Sequence, residues 1–448
     1  MRAFIAKLRD QDDLVEIEKE VDVKFGVGAY IRKVSDTDGP AVLLKNIRGH
    51  SVPVLGGLFA CRRRGLWAYE AQEERALDTY LRALRNPHKP KLVSNGPCQE
   101  TINKGESADV TVFPNPTYSQ LDVGPYITMG VTISKDPETG IRNAGLYRLQ
   151  VKNKRRLGLW SSAFQHVSVH LNKAENQSKP LEVAVALGVD PSVLLAAASK
   201  TPYGMDEYEV AGGLRMKPLE LVKCQTVDLE VPSSSEIVIE GSVPPNVREE
   251  EGPFGEVTGY YGDGGRSPVI EISAITHRRD PIYLAGLTGM PTTDNHVLKG
   301  ISYDATVYEE LRRTFPDVRA VHFPSAGGTR NILFISMESR YEGEAKAIIS
   351  AALGLNSRPK LVVVVDPDIN VYDPVKVLWA IAFHSQPAKD SVIIEGLPGF
   401  RLDPSIDDDG KSSALGIDAT RPLGRKFPEM VKVPGVEDIP DLNRLTRA

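Results

Sequence analysis

Glu251-Gly-Pro-Phe-Gly-Glu256 sets two carboxylates at the ends of a Gly-Pro-Phe-Gly turn. Pro restricts the backbone and Gly permits a sharp turn, so the two acids are held near each other. Phe254 supplies apolar cover, which favours the protonated form of a nearby carboxyl. A carboxyl that keeps its proton at neutral pH can deliver it as a general acid. Arg148 is the candidate to pair with one carboxylate and leave the other as donor. The ordinary reading of this segment is a solvated acidic loop, because Glu249 and Glu250 precede it. A second set is spread over three segments: Asn143, His166 after Gln165, and Glu207 in an acidic turn. An amide oxygen, an imidazole and a carboxylate suit Mn²⁺ or Mg²⁺ bridged to a phosphate better than Zn²⁺. Each also has a bland role: Asn143 capping a strand end, His166 hydrogen-bonded within the fold, Glu207 in water.

The elements that must position these residues fall into three textures. Residues 1–108 read as α/β, with a helix at Arg2–Arg9, a strand at Leu14–Ile17 and a helix at Glu73–Arg85. Residues 109–295 read as β-rich, a barrel or split barrel. Ile127–Lys135, Ile141–Val151 and Leu157–Ala163 form an expected three-strand meander, and Leu181–Leu187 leads to a helix capped by Asp190. Further strands are expected at Glu236–Gly241, Val257–Tyr261, Val269–His277 and Ile282–Leu287. Strict alternation puts Asn143 and Arg148 on opposite faces, so either Gly145 marks a bulge or they serve different sides of one ligand. Residues 296–448 return to α/β, with helices at Tyr303–Thr314, Glu342–Ala352 and Pro374–Ala382 and strands at Asn331–Ser336 and Leu361–Val365. From Leu397 the chain reads as loop-rich, ending in a polar tail.

Bulk properties exclude several classes. The 448 residues exceed one ordinary hydrophobic core, and a net charge of -5 with interspersed signs argues against a nucleic-acid partner. The longest aliphatic run, Leu361–Val365, is strand-sized, and the first residues lack the apolar core of a signal peptide. Three dispersed cysteines, Cys61, Cys98 and Cys224, form no disulfide framework, and a reducing cytoplasm is the natural reading. No dinucleotide or P-loop fingerprint is present, and Gly262-Asp-Gly-Gly265 reads as a hairpin turn.

In family order, these segments resemble the UbiD decarboxylases over nearly the whole chain. Asn143 to Arg148 resembles the family's Asn-x₄-Arg strand, Gln165-His166 its Gln-His pair, and Glu207-Tyr-Glu-Val-Ala-Gly212 its Glu-Tyr-x-x-Ala-Gly segment. The whole Glu251–Glu256 turn matches, and Asp366 after four valines, Val377-Leu-Trp-Ala380 and Gly416-Ile-Asp-Ala-Thr420 are similar to C-terminal signatures. The resemblance implies an N-terminal α/β domain, a central split-barrel flavin domain and a C-terminal α/β domain used for dimerisation. It implies reversible, non-oxidative decarboxylation of an aromatic acid through a covalent adduct with prenylated FMN. The cofactor would be supplied by a flavin prenyltransferase, and its phosphate held by Mn²⁺, with K⁺ nearby, through Asn143, His166 and Glu207. Arg148, Glu251 and Glu256 would form the catalytic set with Glu256 as proton donor, and Gln165 would lie at the cofactor.

Two positions depart from the pattern. Ala414 stands where many members have Lys, so Lys411 becomes the candidate to reach the phosphate, and His384 stands where many have Arg. For the substrate, Asn295 and His296 could hydrogen-bond a ring heteroatom or hydroxyl, and Arg330 could meet a second carboxylate. A capping role for the 294–295 pair and a surface role for Arg330 are the alternatives. A pyrrole, furan or indole carboxylate is the expected class, with hydroxybenzoates second. Two other readings are a split-barrel flavin reductase, which lacks a nicotinamide fingerprint here, and a partner-dependent carboxylase subunit, which would be expected to lose part of the Arg148 set.

Overall fold

Apart from Glu182, every residue of the strand Leu181–Leu187 is buried, and its alternation separates the two largest apolar cores. Val183, Val185 and Leu187 point into a barrel lined by Ile127, Leu149, Leu157 and Ile270. Ala184 and Ala186 face the opposite way, toward Leu194, Leu195, Tyr208 and Leu298. Small side chains on that face let helices approach the sheet closely. The computed structural model describes residues 1–439, so the polar end expected at 440–448 lies outside the described residues.

The barrel is a ten-stranded sheet. Its path runs through Tyr126–Ile127, Leu149–Asn153, Arg156–Leu159, Gly265–His277, Ile237–Val243, Leu181–Leu187, Val131–Lys135 and Arg142–Leu146. Arg142–Leu146 and Leu149–Asn153 stand near opposite ends of this path, yet only Tyr147 and Arg148 separate them in the chain. Three Cα steps span at most about 11 Å. The sheet must therefore curl until its ends meet, and Arg148 sits at the seam. This overturns the expected meander: Ile141–Val151 is two strands that do not pair with each other. Gly145 pairs in register with Thr132, so no bulge lies there, and the corner follows at Tyr147–Arg148.

A four-stranded sheet joins Leu14–Ile17, Ala41–Leu44 and Val54–Gly56 to Tyr283–Ala285, which the chain adds after leaving the barrel. The chain then enters a 19-residue helix, Asp294–Arg312, capped by Thr293 and beginning well before the expected Tyr303. A five-stranded sheet follows in the order Val318–His322, Ile332–Met337, Leu361–Val365, Lys411–Ala419 and Ser391–Pro398. Lys411–Ala419 is a strand inside the stretch expected to be loop-rich after Leu397, and Ser391–Pro398 before it was not expected. The helix Glu344–Leu353 also lies on the Lys411–Ala419 strand, through Ile349 against Gly416. Among the described residues no helix is long and apolar enough to cross a membrane.

Candidate active site

Arg148 meets Glu251 with two nitrogens, Nε and Nη2, each at 2.9 Å, and Glu256 with Nη1. The guanidinium lies between Trp160, 4.7 Å from its ring centre, and Phe254, 4.9 Å. The Trp160 amide also donates to the Arg148 carbonyl at 3.2 Å. Phe254 thus covers the arginine rather than a carboxylate as expected. Burial would lower the Arg148 pKa, but the Glu251 bonds and the Glu256 charge outweigh it and hold the pKa above the ordinary value.

The turn itself is a nested hairpin. Arg248–Glu251 pairs with the start of Gly265–His277, and a smaller ladder, Phe254–Gly255 with Tyr261–Gly262, lies inside it. Val257–Tyr260 is the connecting turn, not the start of a strand. Gly264, at φ +76°, closes the base, where a Cβ would come 2.3 Å from the Glu251 carbonyl. Asp122 accepts from the amides of Tyr118, Ser119 and Gly255 and ties the turn to the preceding loop.

The second set converges from three elements. Asn143 is buried on the edge strand Arg142–Leu146, and its amide donates to the Tyr147 hydroxyl at 3.4 Å. Because this strand pairs on one side only, the Ala144 amide is free to donate to Glu207 at 2.8 Å. Glu207 is the first residue of the helix Glu207–Arg215, whose cap Asp206 is gripped by Arg142 at 2.6 Å. His166 opens another helix, His166–Asn176, with its Nδ1 3.9 Å from Glu207. Burial pushes the Glu207 carboxyl up to about 7, against the bonds from Thr201 and Ala144. A buried carboxylate in that condition is one a cation would stabilise. Among the described residues no cluster of three His, Cys, Asp or Glu exists that could hold a metal. Two such ligands plus an amide oxygen make a partial shell, which fits a divalent ion completed by phosphate and water. Two helix N-termini meeting there favour the same anion.

The remaining candidates scatter. Gln165 is exposed and accepts from the Ser162 amide at 2.7 Å. Lys411 is exposed and paired with Asp409 at 3.2 Å. Ala414 is buried beside a cavity of about 220 Å³ that neither the Arg148 set nor the Asn143 set lines. His384 is buried with Nδ1 3.6 Å from Asp366. Asn295 donates to the Thr288 hydroxyl at 3.3 Å. In His296 both ring nitrogens are engaged: Nδ1 accepts from Thr293, and Nε2 donates to the Val257 carbonyl at 2.8 Å. His296 is therefore part of a capping box that also holds the turn after Glu256, and it offers no free ring nitrogen to a substrate. Arg330 donates to the Ser357 and Asn356 carbonyls and lies over Phe400. Sequence reasoning missed Trp160, Thr201 and Tyr147, because nothing local to them marks a contact made across the fold.

Three family models match the chain, described as the N-terminal, Rift-related and C-terminal domains of 3-octaprenyl-4-hydroxybenzoate carboxy-lyase, over residues 5–84, 91–291 and 296–419. A protein of Archaeoglobus fulgidus is 35% identical, covering 97% of this chain and 95% of its own. The solved UbiD-class enzyme HmfF from Pelotomaculum thermopropionicum, in complex with FMN, is 41% identical with a TM-score of 0.92 over 99% of each chain. An evolved dimeric form of HmfF, in complex with prenylated FMN, aligns at 39% identity and a TM-score of 0.89 over 99% of each chain. The 3,4-dihydroxybenzoic acid decarboxylase AroY of Klebsiella pneumoniae aligns at 27% identity and a TM-score of 0.89 over 98% of each.

Proposed function

The chain belongs to the UbiD family of carboxy-lyases, and from that premise we propose that it decarboxylates an aromatic or heteroaromatic acid reversibly, using prenylated FMN. The observation that carries this reading is the Arg148 ion-pair set at the seam of the barrel, complete in all three members. Asn143, His166 and Glu207 would hold Mn²⁺, with K⁺ nearby, against the flavin phosphate. When bound, the prenylated flavin supplies the electrophile that takes up the electron pair of the breaking bond. The chain's own residues do the rest. The set carries two carboxylates for one guanidinium, and Glu251 occupies two of its nitrogens. Glu256, held through one nitrogen and nearer water, is the carboxyl that delivers the proton to the carbon left by CO₂. Trp160 and Phe254 fix Arg148 in place, and His296 fixes the turn that carries Glu256.

Pyrrole, furan or indole carboxylates are the substrate class we favour. A hydroxybenzoate is the second reading, supported by the similarity to AroY and to the vanillic acid decarboxylase of Sedimentibacter hydroxybenzoicus, 28% identical over the whole chain. Coexpression with a flavin prenyltransferase, cofactor mass and CO₂ release from a panel of acids test the reading. Glu256→Gln is expected to keep its flavin and lose about a hundredfold or more of its CO₂ release. Full activity in that variant would remove Glu256 from the mechanism, and turnover of acrylic acids alone would remove the aromatic class.

A further inference from the structure

His166, His170 and Lys173 recur at helical spacing and so share one face of the helix His166–Asn176. The Tyr203 ring runs along that face. Its centre is 5.2 Å from the His166 ring centre with the planes at 90°, 6.0 Å from the centre of His170, and 5.5 Å from the Lys173 ammonium. The Tyr203 hydroxyl donates to Oδ2 of Asp136, and Lys173 pairs with the same oxygen at 2.8 Å. Oδ1 of Asp136 accepts from the Glu138 amide at 2.9 Å. That bond shapes the turn between Val131–Lys135 and Arg142–Leu146, the strand that carries Asn143.

The third ligand joins through the chain that carries Tyr203. Thr201 donates to Glu207 at 2.5 Å, so Thr201-Pro-Tyr203 touches one ligand with a hydroxyl and another with a ring. Ser134, opposite Asn143 in the ladder, bonds the His170 ring at 2.9 Å and ties the same hairpin to the helix again. Asp136 is 2% exposed, whereas Tyr203 is 47% exposed. Packing alone does not hold a half-exposed ring in one place, so the bond to the buried carboxylate fixes it against His166. Ligands aligned before an ion arrives spare the cost of ordering them when it binds.

We propose that Asp136 is a positioning residue for the metal site, fixing through Tyr203 and Lys173 the three elements that carry Asn143, His166 and Glu207. It thereby sets the affinity for the divalent ion and, through the ion, for the flavin phosphate. This rests on the reading of those three residues as ligands. Asp136 touches no reacting atom in this role: it holds Tyr203, Tyr203 holds the His166 ring, and Lys173 holds the helix that His166 opens.

The test titrates Mn²⁺ into the metal-free full chain with FMN present, following free Mn²⁺ by its paramagnetic resonance and bound FMN by fluorescence quenching. Tyr203→Phe keeps the ring and removes the hydroxyl. Asp136→Asn keeps an acceptor for the Glu138 amide and removes the charge that holds Lys173. Each is expected to weaken Mn²⁺ by about tenfold, the scale of losing support behind a metal ligand, and FMN with it. The double variant should bind no more weakly than Asp136→Asn alone, because both act through one carboxylate. Metal-free Tyr203→Phe should melt with wild type, so it decides the matter even if Asp136→Asn does not fold. Wild-type Mn²⁺ affinity in Tyr203→Phe, or losses that add in the double variant, overturns the inference. A lower metal-free melting temperature at unchanged Mn²⁺ affinity makes the contacts structural alone and overturns it too. If wild type itself takes up no Mn²⁺ with FMN, the ligand reading fails and the inference falls with it. If wild type and variants bind Mn²⁺ equally, the inference alone fails.

Discussion

Arg148 spends its nitrogens unequally, two on Glu251 and one on Glu256, and that asymmetry separates a structural from a chemical carboxylate. Glu251 has 1% of its side chain exposed and Glu256 15%. Removing the deeper partner leaves the guanidinium short of its bidentate anion inside an apolar clamp. Glu251→Leu is expected to cost about 3 kcal/mol of stability. Glu256→Gln should cost about 1 kcal/mol, because the amide oxygen still accepts from Arg148 and Glu251 keeps the guanidinium paired. Urea midpoints would compare the two, and equal losses would mean that the pair is not divided as described. Both acids and the arginine were legible from residue type and spacing. Which carboxylate is bidentate was not, because it depends on where a strand and a hairpin far apart in sequence come to rest.

At the scale of elements, the 19-residue helix reaches the site through its N-terminal turn. His296 serves there as a capping partner where a Glu or Gln is usual, so the sequence offered a helix start near Asp294 only as an alternative and placed the cap one or two residues late. Burial pushes the His296 imidazole down to about 4 from 6.5. The folded state therefore binds fewer protons than the unfolded chain between these values. Stability is full above about pH 6.5 and falls as the pH drops toward 4, by up to about 3 kcal/mol from this group. His296→Gln keeps a donor toward Val257 without a titrating ring. Its melting temperature is expected to fall less than that of wild type between pH 6.5 and 4.5, and parallel curves would show that His296 does not stay neutral. The helix start at Pro191 and its Asp190 cap were readable from local chemistry. The break at Tyr147–Arg148 was not, since alternation continues through a corner that only sheet closure imposes.

Across the whole molecule, the C-terminal helix Pro374–His384 turns Val375, Leu378 and Phe383 outward, with 72%, 61% and 67% of each exposed. Three large apolar side chains left in water on one short helix mark a candidate contact surface. We expect this face to pair two copies. Light scattering should find a dimer or larger assembly, and Phe383→Glu should shift it toward the monomer. An unchanged mass in that variant would place the contact elsewhere. The sequence by itself determined the mixed α/β class, the three textures, the absence of a dinucleotide fingerprint and the identity of the Arg148 and Asn143 sets. The class and the textures follow from local periodicity and turn chemistry, which act over a few residues, whereas the two sets were named through the resemblance of their motifs, in order, to the UbiD decarboxylases. Only the tertiary structure decided that Lys411 pairs with Asp409 and that both ring nitrogens of His296 are taken up in a cap. The second outcome depends on where the long helix docks, because the His296 ring reaches the Val257 carbonyl, 39 positions away, only when the turn after Glu256 is folded against that helix.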